Sequence, residues 1–361
     1  MEKFEKELIV FIPSIEDGGV EKNLYLILNY LSSRIKKIKL ITFDNKKKNQ
    51  FKSNIKIISP FFNFPFIKGR YPKYFFCLLS LLKIIILNKQ HIILSFQANV
   101  FVIILSKIFN IKVLSRSNSS SVGWSKNTIK HFIFSYYFKK TDEIIVNSLE
   151  FKKEMDKKYK INTKYILNPF NFNEILKKSK IKIKKIYKKN SIKLISVGRL
   201  TDQKDFLTLF KAINLLKHKN IKLIIIGKGQ NKSMLNKYIQ TNNLKDNIKL
   251  IGYKKNPFPY IRQADIFILS SIFEGSPNVL VEALFLKKHI ISTNCPTGPS
   301  EILKNGKYGD LVKLKDYKAI AKNISKFSSN DHKKNNLPLN FDNYSYKKNC
   351  EKYFQLIKAY L

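Results

Sequence analysis

The chain has 361 residues, a length that fits about two domains, and 44% of it is hydrophobic, which excludes wholesale disorder. Its 68 basic and 25 acidic residues give a formal charge of +43, so partners are expected among polyanions: anionic lipid, phosphorylated substrates or nucleic acid. Lysine far outnumbers arginine, the usual reader of bases, which argues against nucleic acid; a genome biased toward Lys, Asn and Ile would give the same charge with no partner at all.

Residues 8–12 read as a buried strand, and the glutamates ahead of and within its start (Glu2, Glu5, Glu7) do not fit a signal peptide, so a cytoplasmic chain is expected. Pro13 ends the strand, and a loop carrying Gly18 and Gly19 leads into a helix over 20–31. A Gly-Gly turn before a helix lets backbone approach a phosphate, although an ordinary tight turn reads the same way. Short strands follow at 39–43 and 56–59. Phe61, Phe62, Phe64, Phe66, Tyr71, Tyr74, Phe75 and Phe76 are then interleaved with Lys68, Arg70 and Lys73. Rings and cations together suit a peripheral anchor on an anionic membrane, and rings alone suit the filling of a core. The most apolar stretch, 75–96, is broken by Lys83 and by Asn88 to His91, short of the ~20 apolar residues of a membrane span. Strand 92–95, helix 99–109 and strand 112–114 come next. The loop after them holds Arg116 and Asn118, beyond the carboxyl end of a strand, where α/β sheets build their sites. After strands at 143–146 and 164–167, the run KKSKIKIKKIYKKN (177–190) reads as a self-repelling, solvated linker.

The second half restarts with a strand at 193–197, the loop from Gly198 to Asp205 and an amphipathic helix to about 217. Arg199 and Lys204, five apart across that loop, can converge on one anion, the first with a planar fork of donors and the second with a mobile point charge. Strand 222–226 runs into Gly227-Lys228-Gly229, but Lys232 stands where a dinucleotide fingerprint has its third glycine. Strand 248–251 leads to Gly252-Tyr253. The richest stretch is IFILSSIFEGSPNVLVEALFL (266–286): a buried strand, a loop with Glu274 and Gly275, then a helix with Ser276 as N-cap and Pro277 at its first position. Val279, Leu280, Ala283 and Leu284 are expected to face a core, and Asn278 and Glu282 a cleft. Two acids and the amides of a helix start fit a ligand with hydroxyls at both ends and phosphate between them, a nucleotide-diphospho-sugar. A strand at 289–292, a helix starting at Pro299 and a terminal helix over 344–361 complete the chain. Cys77, Cys295 and Cys350 are odd in number and far apart, and the five histidines are scattered, so neither disulfides nor a metal site is expected.

Glu274, seven intervening residues and Glu282 in the frame EGSPNVLVEAL resemble the donor signature of retaining GT-B glycosyltransferases of family four, the glycosyl transferases group 1. GRLTDQKDF with Arg199 and Lys204 resembles that family's diphosphate clamp, and Gly18-Gly19 with Glu21 its N-terminal glycine loop. The resemblance covers most of the chain and is strongest from 194 to 311. It implies an α/β GT-B fold of two Rossmann-like domains with parallel sheets facing across a cleft. On that reading residues 1–176 bind the acceptor, 177–190 are the linker, 191–343 bind the nucleotide-sugar, and 344–361 form a helix crossing back to the first domain. It further implies a retaining, metal-independent hexosyltransferase with Arg199, Lys204 and Glu274 catalytic. Gly18, Gly19, Gly227, Tyr253, Gly275, Ser276, Pro277, Asn278, Val279 and Glu282 would surround the donor, and Arg116 and Asn118 would face the acceptor. TNCPTGPSEIL is similar to members that add hexoses or N-acetylhexosamines to lipid-linked saccharides. The expected partners are therefore a UDP-sugar donor and a polyprenyl-linked or surface-polysaccharide acceptor at the membrane's inner face, with no separate cofactor. A GT-B sugar-nucleotide epimerase, or a non-catalytic basic protein that binds lipid or nucleic acid, is the alternative.

Overall fold

A computed structural model describes residues 6–16, 18–44, 49–60, 69–118, 128–187, 190–328 and 340–361. Phe61, Phe62, Phe64, Phe66 and Lys68 of the aromatic and basic segment lie outside the described residues, as do Asp17, Ser119 to Ser121, and Lys188-Lys189. The chain divides into two units, Met1–Phe170 with Asp342–Leu361, and Asn171–Phe341.

In the first unit β1 (Glu7–Phe11), β2 (Ile38–Ile41), β3 (Ile55–Ile58), β4 (His91–Ser95), β5 (Lys112–Arg116), β6 (Glu143–Val146) and β7 (Lys164–Tyr165) form a parallel sheet ordered β3-β2-β1-β4-β5-β6-β7. Strands covered by helices on both faces are apolar without alternation, and in β1 Leu8 to Phe11 are all fully buried. The pleat sorts them between two cores. Leu8 and Val10 join the side chains of α1 (Gly19–Leu31). Ile9 and Phe11 join those of α2 (Arg70–Leu87), α3 (Asn99–Ile108), α4 (Thr128–Lys140) and α5 (Leu149–Tyr159) on the opposite face.

In the second unit β8 (Ile192–Val197), β9 (Ile221–Ile226), β10 (Ile248–Leu250), β11 (Ile266–Leu269), β12 (His289–Thr293) and β13 (Asp310–Val312) pair in parallel in the order β10-β9-β8-β11-β12-β13. They alternate with α6 (Phe172–Ser179), α7 (Phe206–Leu215), α8 (Lys232–Thr241), α9 (Phe258–Gln263), α10 (Asn278–Phe285), α11 (Pro299–Ile302) and α12 (Tyr317–Ser328). Leu194, Leu223 and Ile268 of the sheet pack with Leu209 and Ile213 of α7 and Ile320 and Ile324 of α12. In both sheets the strand order reverses once, between β1 and β4 and between β8 and β11. Loops leaving the carboxyl ends diverge at such a reversal and open the crevice in which α/β sheets bind ligands.

The lysine-rich run differs from the free linker expected of it. Its first residues belong to α6, whose Ile175 and Ser179 are buried. The Tyr187 hydroxyl donates to the Leu194 carbonyl at 3.0 Å, and the Ile186 amide to Gln263 Oε1 at 3.4 Å. Lys182, Lys184 and Lys185 are exposed while Tyr187 and the backbone of Ile186 anchor the run, so like-charge repulsion does not detach it. The compact units change over at 170/171 and 341/342. The terminal helix α13 (Tyr346–Lys358) buries Cys350, Tyr353, Phe354 and Ile357 in the core that holds β1 and α1. The Phe170 amide donates to the Tyr344 carbonyl at 2.9 Å and the Tyr346 amide to the Phe170 carbonyl at 3.0 Å, which seats the returning chain in the first unit. Among the described residues no helix is long and apolar enough to cross a membrane.

Candidate active site

The reversal in the second sheet sets the loop after β8 beside the loop after β11. Short-range bonds order each loop. A single 3-10 turn (Asp202–Lys204) follows β8, and Asp205 caps α7 by accepting from the Thr208 amide at 3.3 Å and the Thr208 hydroxyl at 2.6 Å. Three further bonds join the loops. The Ser270 hydroxyl donates to the Lys204 carbonyl at 2.8 Å, the Ile272 amide to the Gln203 carbonyl at 2.8 Å, and Gln203 Nε2 to the Phe273 carbonyl at 2.9 Å. Across the seam the Lys204 ammonium meets Glu274 Oε1 at 2.5 Å, with side chains only 14% and 9% exposed.

Gly198 aims that ammonium. A Cβ there would meet the Cδ and Cε of Lys204 at 3.3 Å, so the missing side chain is the channel along which the lysine stem lies. Gly227 and Gly229 serve the backbone in a related way. Added Cβ atoms would stand 1.8 Å from the Gly198 carbonyl oxygen and 2.2 Å from that of Leu200. The β8 and β9 loops can therefore stack, with the Leu200 amide donating to the Lys228 carbonyl at 2.9 Å. Gly227 is thus required for this close packing of the two loops. Arg199 is exposed between Gly198 and Leu200. Tyr253, at the end of β10, is 40% exposed, and Lys228 Nζ lies 5.2 Å from its ring centroid.

A third loop braces the acid. The Glu274 amide donates to the Pro296 carbonyl at 2.6 Å, and the Thr297 hydroxyl reaches the carbonyls of Glu274 and Gly275 at 3.2 and 3.0 Å. Gly298, at φ +97°, packs so closely that a Cβ would lie 2.7 Å from the Gly275 carbonyl oxygen. That approach fixes Ser276 and Pro277, and α10 starts one residue later than expected: Pro277, not Ser276, is the N-cap, and its carbonyl accepts from the Leu280 amide at 3.0 Å. Asn278 and Glu282, one turn apart, are buried at 7% and 2% exposure. Val279 is only partly buried and Val281 takes the core position expected of it. Burial first, then the charge of Glu274, pushes the Cys295 thiol up to about 12, so this neighbour stays protonated and is no nucleophile at neutral pH. Gly198, Gln203, Thr297 and Gly298 were not among the expected site residues. Only the glycines left a trace in the sequence, because what the others do is set by loop contacts.

The candidates in the first unit behave differently. The Gly18 amide, at the start of α1, donates to Glu21 Oε2 at 2.8 Å and the Glu16 amide to Glu21 Oε1 at 3.3 Å. A Cβ on Gly18 would meet that carboxyl oxygen at 2.8 Å. The Gly18-Gly19 turn therefore makes room for the carboxyl group of Glu21, the acid that belongs to the same loop pattern. Arg116, expected to face the acceptor, is held inside the unit. Only 1% exposed, it donates through Nε to the Tyr353 hydroxyl at 2.8 Å and through its terminal nitrogens to Asn168 (2.6 Å) and Asn118. Asn118 in turn donates to the Phe96 carbonyl at 2.9 Å. Arg116 thus ties β5 to the terminal helix and Asn118 ties it to the end of β4, since a buried guanidinium must satisfy its donors internally.

Known proteins resemble this chain in sequence and in fold. A sequence profile described as "Glycosyl transferases group 1" matches residues 177–348. An uncharacterised glycosyltransferase of Methanocaldococcus jannaschii is 33% identical over 322 residues, covering 79% of this chain and 74% of the relative. A Campylobacter jejuni enzyme is 25% identical over 347 residues, 90% of this chain and 91% of its own. Its name is N-acetylgalactosamine-N,N'-diacetylbacillosaminyl-diphospho-undecaprenol 4-alpha-N-acetylgalactosaminyltransferase. Among solved structures, a Rickettsia africae glycosyltransferase aligns with a TM-score of 0.77 at 18% identity, over 99% of this chain and 98% of that one. HepE of Anabaena, crystallised with UDP-glucose, aligns with a TM-score of 0.77 at 14% identity, over 98% and 100%. With two parallel α/β sheets and a relative this similar along most of its length, the chain belongs to the group 1 glycosyl transferases of GT-B fold.

Proposed function

We propose that the protein moves a hexose or N-acetylhexosamine from a UDP-sugar to a lipid-linked or surface-polysaccharide saccharide, with retention of anomeric configuration. The observation that carries this reading is the Lys204–Glu274 pair at the reversal of the second sheet, beside the amino end of α10. Breaking the anomeric bond builds negative charge on the departing diphosphate before the acceptor oxygen has bonded. Lys204, Arg199 and the positive end of the α10 dipole meet that charge from fixed positions. Glu274, held by Lys204 and by the loop around Thr297, accepts from sugar hydroxyls, and Glu282 from the ribose hydroxyls of the nucleotide. Gly227 and Tyr253 border the base. In this reading cations of the chain, not a metal, meet the diphosphate, so turnover is expected to survive a chelator. The Campylobacter jejuni relative, which by its name glycosylates a diphospho-undecaprenol saccharide, supports the acceptor class. The Anabaena structure with UDP-glucose supports the donor class.

The test is incubation with a panel of UDP- and GDP-sugars, with and without polyprenyl-diphosphate saccharides, and determination of the product's anomeric configuration by NMR. The expected result is acceptor-dependent release of UDP and an axial product from an axial donor. Donor isomerisation or hydrolysis that ignores the acceptor would overturn transfer, and an inverted product would overturn retention.

A further inference from the structure

On the far side of the first sheet from α1, the helices α2, α3 and α4 lie side by side. Their outer side is apolar where a surface helix is normally charged. Tyr71, Phe75, Leu79, Phe101, Ile108 and Phe132 are between 47% and 77% exposed. Phe75, Leu79 and Leu82 of α2 and Phe101 and Ile104 of α3 line one groove between the two helices. Single exposed apolar residues carry no message, but a contiguous patch marks a surface that meets something.

The three helices themselves carry charge of one sign, and the acids that meet them come from outside and lie at their edges: Glu16 at Arg70, Asp44 at Lys73 and Asp142 at Lys107. No aspartate or glutamate stands between Asp44 and Asp142, a stretch that holds all three helices, although the chain has 25 acidic residues. Lys83 on α2 and Lys139 and Lys140 on α4 are exposed. The neighbouring α5 provides the control. It too is rich in lysine, yet it carries Glu150, Glu154 and Asp156 and turns Phe151 and Met155 inward. A genome-wide bias toward lysine would act on α5 and on α2 to α4 alike, so the acid-free apolar patch is a local property.

We propose that the outer face of α2, α3 and α4 docks on an anionic lipid bilayer, its rings and aliphatic side chains at headgroup level and its lysines toward lipid phosphates. A second copy of the chain fits badly, because a two-fold contact would lay the exposed lysines of these helices against each other, and the helices carry no carboxylate of their own to answer them. The inference rests on exposure and charge and holds whether or not the proposed sugar transfer is right.

Cosedimentation of the full chain with phosphatidylcholine vesicles, with and without phosphatidylglycerol, tests it. The wild type is expected to bind only the anionic vesicles. Phe75→Ser/Phe101→Ser/Phe132→Ser is expected to weaken that binding about tenfold or more, and Lys83→Glu/Lys139→Glu/Lys140→Glu about as much. A charge-matched reversal in the second unit, Lys232→Glu/Lys237→Glu/Lys245→Glu, is expected to stay within about twofold of wild type. Circular dichroism checks the fold; should the serine variant melt early, the lysine variant, confined to exposed side chains, decides. Equal binding to neutral vesicles, no binding at all, equal release by the second-unit reversal, or a dimer that the patch variants dissociate would each overturn the proposal.

Discussion

The two units share a strand order and a reversal point, yet they use them in opposite ways. At β1 and β4 the crevice is closed by the chain itself: Gln97 accepts from the Ser14 amide at 3.1 Å and donates to the Ser14 carbonyl at 2.9 Å, and Glu21 takes the amides before α1. At β8 and β11 the equivalent loops are also bonded to each other, through Gln203 and Ser270, but there a cation and an acid pair across them, with an exposed arginine nearby. Topology supplies the crevice in both cases, and the side chains that line it differ: a glutamine and an amide-bound glutamate in the first unit, a lysine–glutamate ion pair in the second. The same backbone plan thus gives a structural joint in one half and a candidate catalytic joint in the other.

Removing the cation breaks that contrast most severely. Lys204→Ala is expected to lower glycosyl-transfer turnover roughly a hundredfold, the usual effect of losing one preorganised donor to a developing negative charge. The change also strands the Glu274 carboxylate in a nearly buried place, which destabilises the unit for reasons unrelated to catalysis. The double variant Lys204→Ala/Glu274→Gln separates the two effects: urea unfolding should recover toward wild type while turnover stays low. Wild-type turnover in Lys204→Ala would show that the diphosphate lies elsewhere.

The contrast also explains what the sequence made legible. Apolar runs such as LIVF (8–11) and LIII (223–226) announced buried parallel strands, because a strand covered on both faces has no polar side to show. The reading of Lys204 and Glu274 came from their frames at strand ends, and they do sit together. Arg116 and Gly18 had equally suggestive positions, but whether a donor faces solvent or its own chain depends on Tyr353, more than two hundred residues away, or on the rotamer of Glu21. No local pattern holds that information. β13 escaped for a simpler cause: with only Leu311 and Val312 apolar, it is too short to show a period.

A middle-sized effect sharpens the comparison from the other side. Gln97→Ala removes both bonds to Ser14, which is 2% exposed, and leaves its amide and carbonyl without those partners. Stranding such groups costs about 1–3 kcal/mol. Urea unfolding should register that loss, while the affinity of UDP for the second unit should stay at the wild-type level. A fall in UDP affinity comparable to that of Lys204→Ala would mean that the first joint is no mere structural lock.

The smallest effect concerns Glu21, and its sign is distinctive. Burial pushes this carboxyl above the usual glutamate range, against the pull of the amides that donate to it. The folded state therefore holds the proton more tightly than the unfolded chain does. The contribution of that proton is fully present below the ordinary glutamate pKa and is lost as pH rises through the raised one. Glu21→Gln cannot ionise and keeps one carbonyl oxygen to accept from Gly18. Melting temperatures across this window should show the wild type losing ground to the variant as pH rises. The opposite slope would mean that the amides outweigh burial and that the carboxylate is held as a true anion. In that case the first crevice would already contain the negative charge that the second one awaits.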